Sequence, residues 1–486
     1  MSENVREQEP QSLWNHFADL NAVPRPSKKE ERVRQFIIEF AQAHDLIYLE
    51  DAIGNVVVKK PATPGMEDRE GIIMQSHLDM VHQKNNDTHF DFLTQGIDMY
   101  VEDGNVKARG TTLGADNGIG VAAIMAVLSS SDIGHPAIEA LFTIDEETGM
   151  TGAKELDKNI LTSKILLNLD TEEDDEIDIG CAGGVDITAS KHYLTHQLEN
   201  QDFQFKKITV KGLKGGHSGM DIIKGLGNAN KLINRLLDSM QKKGEVHIHS
   251  FNGGSLRNAI PREATVTVAF RSSATNDIWN AYQSCKNAIE NEYKKLESNL
   301  SIQIEDAQAG NVITASDSRT LVYALLGIHN GVYRMSPEID GLVETSNNLA
   351  RVTLEDGKLE IACLTRSSVE SSKEDLASSI VAVMHLAGME TQLSGDYPGW
   401  QPNRDSAILE VVENSYKDLF KDQPRVVACH AGLECGLLGE RYPGLDMVSF
   451  GPNIRGAHSP DERVEIESVQ KFWNWLLDVL KNIPKN

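Results

Sequence analysis

The chain has 486 residues, 40% hydrophobic and 24% charged, which is enough for two or three domains with sizeable cores. Its formal net charge of −25 disfavours binding to nucleic acid backbones and to anionic membranes. No apolar run is long enough to cross a bilayer, and the first residues lack the basic and apolar regions of a signal peptide. Five scattered cysteines indicate a reducing compartment, so these features predict a cytoplasmic protein.

The first elements along the chain are a helix and two strands. Ser27 and Glu30 form a capping-box pattern, and an apolar stripe follows it at helical spacing. The stripe consists of Val33, Phe36, Ile37, Phe40 and Ala41. The runs "LIYLED" and "NVVVKK", with a turn at residues 51–54, predict a β-hairpin.

An alternation of buried strands and helices follows. The runs "IIMQS", "AIEALFTID" and "ILLNLD" predict strands, and "GIGVAAIMAVLSS" predicts a buried helix, which is the pattern of an α/β sheet. From about Val185 the strands alternate polar and apolar residues, which indicates an α+β layer with one open face. After "DYPGWQPN" the α/β pattern of buried strands and helices returns, with "DMVSFGPN" predicted as a strand and residues 464–482 as the last helix. We therefore predict an outer domain of residues 1–185 and 396–486, interrupted by an inserted domain of residues 186–395.

The inserted domain contains an internal echo. The segment 257–273, "RNAIPREATVTVAFRSS", resembles the segment 347–368, "NNLARVTLEDGKLEIACLTRSS", and a predicted helix follows each one. The echo suggests two related subdomains, 186–308 and 309–395. A single echo is weak evidence for duplication, so this interpretation stays open.

Ionisable side chains follow the predicted buried strands, and one more, Asp116, directly precedes the predicted buried helix. They are His77 and Asp79, Asp116, Glu146 and Glu147, Asp170, and His458. In open α/β sheets ligands bind at the carboxyl ends of the strands, so these groups could meet in one crevice. So many carboxylates would repel each other unless cations neutralised them, and imidazole with carboxylate suits Zn²⁺, Mn²⁺ or Co²⁺. The alternative is a set of ordinary strand-end caps and a solvated acidic pair.

The segment "KGLKGGHSG" places His217 on a glycine-rich loop that leaves an exposed strand. It is either a glycine turn with an incidental histidine or an electrophile that reaches a substrate when a lid closes.

Seven motifs in this order resemble those of the carboxypeptidase-G and carnosinase family of di-zinc metallopeptidases: "SHLDM", "GADNG", "DEETG", "NLDT", "GGHSG", "RNAIP" and "GAHSPDE". The resemblance implies a zinc-peptidase-like mixed α/β sheet flanked by helices, with an inserted α+β lid domain. In that family the lid mediates dimerisation or, when doubled, mimics a dimer within one chain. A homodimer is therefore one of two expectations.

The resemblance also implies roles for individual residues. Two Zn²⁺ ions per chain, replaceable by Co²⁺ or Mn²⁺, would be bound by five ligands: His77, Asp116, Glu147, Asp170 and His458. Asp116 would bridge the ions, with His77 and Asp170 on one and Glu147 and His458 on the other. Asp79 would orient the imidazole of His77, and Glu146 would be the general base.

The implied activity is hydrolysis of unblocked dipeptides with broad specificity, including those with C-terminal histidine such as β-alanyl-histidine. A water bridging the metals would attack the peptide carbonyl, and His217 would stabilise the oxyanion. Arg366 is expected to bind the substrate carboxylate, while Asn258 and Glu434 are expected to contact substrate. Small dipeptides are thus the expected partners, with no nucleic acid and no membrane.

Two other functions stay open. One is an aminoacylase or another amidohydrolase on the same scaffold, and the other is a metal-dependent binding protein without turnover. A glutamate at position 146 beside a full ligand set argues against the second.

Overall fold

The computed structural model describes residues 3–198 and 202–485, which form two compact units. The first unit runs to Gly180 and also contains Trp400–Ala428 and the chain from Leu433 onward. The second contains Cys181–Gly399 and the short segment Cys429–Gly432. The sequence-based boundaries, 185/186 and 395/396, fall a few residues from these divisions. Within the described ranges no helix combines the length and apolarity that a membrane span needs.

The first unit contains helices and an extended sheet, numbered here in chain order over the whole protein. Its helices are α1 (Glu3–Arg6), α2 (Gln11–Asn21), α3 (Glu31–Ala43), α4 (Ala115–Ser129), α5 (Glu146–Gly149), α6 (Thr151–Glu155), α11 (Ala407–Phe420), α12 (Glu434–Arg441) and α13 (Ile466–Asn482). Its strands are β1 (Ile47–Glu50), β2 (Val56–Lys60), β3 (Ile72–His77), β4 (Met99–Glu102), β5 (Asn105–Ala108), β6 (Ile138–Thr143), β7 (Ile165–Asn168), β8 (Glu176–Cys181), β18 (Arg425–Cys429), β19 (Asp446–Ser449), β20 (Ile454–Arg455) and β21 (Arg463–Glu465).

Eight of these strands form one mixed sheet in the order β1-β2-β6-β3-β7-β19-β8-β18. Its centre is parallel, because β3 pairs with β6 and β7, and β7 pairs with β19, all in parallel. Every residue of β3, β6 and β7 is buried, as expected for parallel strands covered on both faces. Helix α4 is buried almost all round. The predicted α/β class with a mixed sheet is confirmed.

The N-terminal hairpin is confirmed, whereas the predicted capping box is wrong. Strands β1 and β2 pair in antiparallel fashion around the turn at residues 51–54. Helix α3 begins at Glu31, and no side chain caps its first turn. The Ser27 hydroxyl instead donates to the Met80 carbonyl, and the Glu30 carboxylate accepts the backbone N–H groups of Lys28 and Asp145. Ser27 and Glu30, which the local sequence predicts to cap the helix, thus form hydrogen bonds with distant residues instead.

The second unit is built on a nine-stranded antiparallel sheet. Its strands are β9 (Gly183–His192), β10 (Phe203–Lys211), β11 (Val246–Gly253), β12 (Ala264–Arg271), β13 (Ser301–Asp306), β14 (Gly331–Met335), β15 (Val343–Glu355), β16 (Lys358–Ser367) and β17 (Glu390–Tyr397). Its helices are α7 (Ala229–Gln241), α8 (Thr275–Tyr293), α9 (Ala315–Gly327) and α10 (Glu370–Leu386), with short 3₁₀ turns at Ile222–Lys224 and Ser272–Ala274.

The strand order of this sheet is β13-β10-β12-β11-β15-β16-β9-β17, with β14 beside β15. The strands on the two sides of the central β11–β15 pair are connected in a similar way. On one side, β11 and β12 lead through α8 to the edge strand β13, which pairs with β10. On the other side, β15 and β16 lead through α10 to the edge strand β17, which pairs with β9. The Arg-Ser-Ser ends of the two echo segments therefore lie at the ends of equivalent strands, β12 and β16, which flank the central β11–β15 pair, although the segment 347–368 also includes most of β15.

Candidate metal centre

Three parallel strands bring three of the five candidate ligands, His77, Glu147 and Asp170, to one edge of the sheet. His77, the last residue of β3, lies opposite Thr143 at the end of β6, three residues before Glu146. Gln75 lies opposite Asn168 at the end of β7, two residues before Asp170. Residues that follow these strands therefore emerge side by side, since the carboxyl ends of parallel strands share one edge.

Asp116 reaches this edge from the start of α4. Gly114 precedes the helix in the left-handed region, with φ of 71°, and Asp116 itself has non-helical angles of φ −81° and ψ 107°. This departure from helical geometry leaves the two carboxylate oxygens facing two different imidazoles. Oδ1 lies 3.2 Å from Nε2 of His77, and Oδ2 lies 3.2 Å from Nε2 of His458.

Each imidazole also faces a second carboxylate. Nε2 of His77 lies 3.4 Å from Oδ1 of Asp170, and Nε2 of His458 lies 3.0 Å from Oε2 of Glu147. The ligand atoms of each group lie within 4.8 Å of one another. The five predicted ligands thus form two adjacent groups that share Asp116, in the pairing that the family resemblance implies.

The charges of the two groups are strongly coupled. Burial disfavours a charged His77, but Asp170, Asp116 and Asp79 outweigh it and raise the pKa of this imidazole well above its usual value. Hydrogen bonds to Asp116 and Glu147 raise the pKa of His458 to about 11. Protons on the two imidazoles would therefore offset part of the carboxylate charge, and a bound cation at either position would take over that role.

The donor set fits divalent metal ions. Oε1 of Glu147 is buried and has no hydrogen-bond partner among the described residues, although Oε2 of the same carboxylate contacts His458. A buried carboxylate oxygen without a partner is costly, and a metal ion would satisfy it. His77, Asp116 and Asp170 would hold one ion, and Asp116, Glu147 and His458 would hold the other.

Asp79 links the candidate ligand His77 to the backbone of Glu146 and Glu147. Its carbonyl oxygen lies 3.1 Å from Nδ1 of His77, whereas its carboxylate lies 3.4 Å from the same nitrogen. The carboxylate accepts the backbone N–H groups of Glu146, at 3.0 Å, and Glu147, at 3.2 Å. Asp79 therefore positions both the imidazole of His77 and the backbone of Glu146 and Glu147. The second of these contacts was not predicted from the sequence.

Glu146 has the environment of a carboxyl group that can hold a proton. Burial raises its pKa well above the usual value, and although His77 opposes this, Asp170, Glu434 and Glu147 raise it further. A general base must both accept and return a proton, and a raised pKa suits that task.

Glu434, predicted to contact substrate, is completely buried at the first residue of α12. Its Oε2 accepts hydrogen bonds from Nε2 of Gln75, at 2.6 Å, and Oγ1 of Thr143, at 2.7 Å. Gln75 in turn accepts a hydrogen bond from Asn168. Glu434 thus connects the ends of strands that lead to the candidate ligands, and its contact with substrate stays a prediction.

In the second unit, His217 is held with a defined ring orientation. Its Nδ1 accepts the backbone N–H groups of Gly219 and Met220, each at 3.2 Å, so Nε2 carries the proton of the neutral ring. Burial and the nearby Arg366 lower its pKa, although Asp221 opposes this. A Cβ at Gly219 would lie 2.1 Å from the His430 carbonyl oxygen, which explains the glycine after "HS" in this motif.

Arg366 is also in the second unit and is 5% exposed. Its Nη1 donates to the Tyr397 hydroxyl at 2.8 Å, and among the described residues no carboxylate lies within 4.0 Å of its guanidinium. Asp186, which interacts with it electrostatically, already pairs with Arg257 at 3.3 Å. A buried guanidinium without a carboxylate partner is suited to bind an anion.

Two further residues of this unit, the predicted Asn258 and the unpredicted His430, lie on loops. The side chain of Asn258 is exposed, and its carbonyl accepts the Ser218 N–H at 2.8 Å, next to His217. His430, in "HAGLECG", was not singled out from the sequence. It is buried and bonded to Ser346 at 2.8 Å, and burial with Arg366 and His217 lowers its pKa to about 3. Nothing in the local sequence around this histidine indicates a functional role.

Residues 73–482 match the peptidase family M20/M25/M40. The chain belongs to this family. It is 44% identical over 476 residues, 98% of each chain, to the cytosol non-specific dipeptidase of Escherichia coli K12. M20 enzymes are metallopeptidases, so membership implies bound metal ions at a centre such as the one described above.

Solved structures agree with this assignment. The aminoacylhistidine dipeptidase of Vibrio alginolyticus is 43% identical, covers both chains completely and superposes with a TM-score of 0.94. The aminopeptidase PepT of Bacillus cereus, 16% identical over 98% of this chain and 99% of its own, has a TM-score of 0.57 and shares the fold. The motifs "CAGG", "GLGNANKL" and "HAGLECG" resemble those of bacterial aminoacyl-histidine dipeptidases, and the comparisons confirm that resemblance.

An Asp79→Asn protein is expected to keep its metal ions and to lose about 10- to 100-fold in kcat. The amide cannot accept both N–H groups of Glu146 and Glu147, while the backbone carbonyl that contacts His77 remains. Metal analysis by mass spectrometry and steady-state kinetics measure the two effects, with the exposed Asp87→Asn as control. Wild-type kcat in a fully metallated Asp79→Asn protein would contradict this role.

Proposed function

We propose that this protein is a di-zinc dipeptidase of broad specificity that hydrolyses unblocked dipeptides, including those with C-terminal histidine. The observation that carries the proposal is Asp116 shared between two imidazoles, with Glu146 beside them in a buried, carboxylate-rich environment. A carboxylate shared by two metal groups is the arrangement of two-metal hydrolases.

The relatives support the substrate class and the location. The Escherichia coli relative is named as a cytosolic, non-specific dipeptidase, and the Vibrio alginolyticus structure is named as an aminoacylhistidine dipeptidase. Their identity of 43–44% over nearly the whole chain supports the same reaction here, in the cytoplasm. The homodimer stays a prediction.

In the proposed mechanism, Glu146 takes a proton from the attacking water and passes it to the leaving amine. When bound, the two metal ions supply Lewis acidity, which lowers the pKa of water and polarises the peptide carbonyl. His217 donates from Nε2 to the oxygen of the tetrahedral intermediate, because its Nδ1 is already occupied as an acceptor. Asp79 holds the backbone of Glu146 in place throughout.

A dipeptidase must bind the substrate carboxylate, and we assign that role to Arg366. Its side chain is buried, and its charge is not neutralised by a carboxylate within ion-pair distance among the described residues. A guanidinium offers a bidentate fork that a substrate carboxylate can occupy. Asn258 and Glu434 are proposed as further substrate contacts.

A hydrolysis screen on zinc-loaded protein tests the function. Free dipeptides, including β-alanyl-histidine, are expected to be cleaved, with activity lost on chelation and restored by Zn²⁺ or Co²⁺. N-acyl amino acids are the control substrates. Faster hydrolysis of these than of any dipeptide would favour an aminoacylase, and no hydrolysis by the metallated protein would favour a binding protein.

A Glu146→Gln protein is expected to bind metal normally and to lose about 10²- to 10⁴-fold in kcat, since the amide cannot accept the proton of water. Glu155→Gln, at an exposed position of α6, is the matched control and should keep wild-type activity. Full turnover in the Glu146→Gln protein would rule out the general-base assignment.

An Arg366→Ala protein is expected to raise KM for dipeptides by about 10- to 100-fold, the effect of losing charge-assisted hydrogen bonds of about 1.5–3 kcal/mol. The matched control is Arg271→Ala, because Arg271 holds the equivalent place in the sequence echo. Arg271 is exposed and stacks over Phe203, with its guanidinium carbon 5.0 Å from the ring centroid. Unchanged KM in the Arg366→Ala protein would place the carboxylate site elsewhere.

A further inference from the structure

Glu462 is a buried carboxylate that the proposed mechanism does not use. It is 3% exposed and lies four residues after His458. Its Oε2 accepts the backbone N–H groups of Leu113, at 2.6 Å, and Gly114, at 2.9 Å. Its Oε1 accepts those of Ala115, at 2.7 Å, and Asp116, at 3.3 Å.

One carboxylate therefore binds four consecutive N–H groups that end at the candidate bridging ligand. Backbone N–H groups that converge in this way form an anion site, and hydrogen bonds to a charged acceptor are stronger than neutral ones. The loop that carries His458 is thereby tied to the loop that carries Asp116.

Arg25 extends this connection to the loop that follows His77. It is 1% exposed, and its Nη1 donates to the carbonyls of Leu78 and Asp79, each at 3.1 Å. The Asp79 carbonyl is the same atom that Nδ1 of His77 contacts. Nη2 of Arg25 donates to the Gly114 carbonyl at 2.5 Å.

The peptide group between Gly114 and Ala115 joins the two charges. Its N–H points to Glu462 and its carbonyl points to Arg25, so the group is polarised from both ends. A Cβ at Gly114 would lie 2.5 Å from Nη2 of Arg25, and one at Gly118 would lie 2.6 Å from it. The two glycines of "GADNG" thus leave the space that the guanidinium occupies.

We propose that Glu462 and Arg25 are positioning residues that fix Asp116 between His77 and His458 and so set the geometry of the metal pair. Their side chains bind backbone atoms of the loop after His77 and of the loop that contains Asp116, while Glu462 itself follows His458, and neither side chain touches a candidate ligand atom. Neutralising Glu462 would leave N–H groups without acceptors next to Asp116 and would loosen the candidate bridging carboxylate. The inference rests on the proposed metal centre.

The test compares Glu462→Gln with Asp461→Asn, an exposed neighbour that loses the same charge. Glu462→Gln replaces one acceptor oxygen by an amide donor that faces N–H donors. We expect metal affinity measured by titration calorimetry to fall about 10- to 100-fold. At saturating metal, kcat should fall with little change in KM, and the visible absorption spectrum of the Co²⁺-loaded protein should change. Asp461→Asn should match the wild type in all three.

Arg25→Lys is the second variant, because lysine keeps the charge but cannot span Leu78, Asp79 and Gly114. It should change the Co²⁺ spectrum in the same direction. Circular dichroism and thermal denaturation identify variants that are folded. A folded Glu462→Gln or Arg25→Lys protein with wild-type metal affinity, Co²⁺ spectrum and kcat would overturn the inference.

Amide hydrogen exchange of the wild-type protein is a test that needs no variant, so it does not depend on whether a variant folds. The amides of Leu113, Gly114 and Ala115 should be protected even without metal, because Glu462 accepts them. Rapid exchange of these amides would also overturn the inference. Failure of the wild-type protein to bind metal would instead overturn the proposed function, so the two failures are distinct.

Discussion

The repulsion among carboxylates at one edge of a parallel sheet is the constraint on which this structure depends. Asp116 and Glu147 meet the exposed His458, while Asp116 and Asp170 meet the buried His77, and each of the three carboxylates is 12% exposed or less. Such a group is stable only when positive charge is supplied, by protons on the imidazoles or by bound cations. The clustering of carboxylates thus destabilises the fold when no cation is bound, and it also favours the binding of divalent metal ions.

The surrounding framework resists this repulsion with hydrogen bonds rather than with further ligands. The carboxylates of Asp79 and Glu462 accept backbone N–H groups next to the candidate ligands. Arg25 donates to backbone carbonyls of the loop that follows His77. The Glu434 carboxylate instead accepts the side chains of Gln75 and Thr143, at the ends of two parallel strands. Buried charges outside the candidate ligand set therefore hold the segments next to His77, Asp116 and Glu147, which is how metal sites orient their ligands.

The sequence predicts those parts of the site that follow from local pattern. Apolar runs end at His77 and shortly before Asp170, so strand periodicity and the sharing of one sheet edge bring them together. Arg25 and Glu462 escaped prediction, because an arginine or glutamate on a loop shows its burial only after distant backbone atoms assemble around it. Glu30 was misassigned for the same reason, since its acceptor role depends on Asp145 across the fold.

Anomalous X-ray scattering from crystals of the zinc-loaded protein would locate the metal ions and their ligands. Two zinc peaks about 3.5–4 Å apart are expected. The two oxygens of Asp116 should bind different ions, with His77 on one ion and His458 on the other. A single zinc peak, or two peaks with Asp116 bound to neither, would contradict a two-metal site bridged by Asp116.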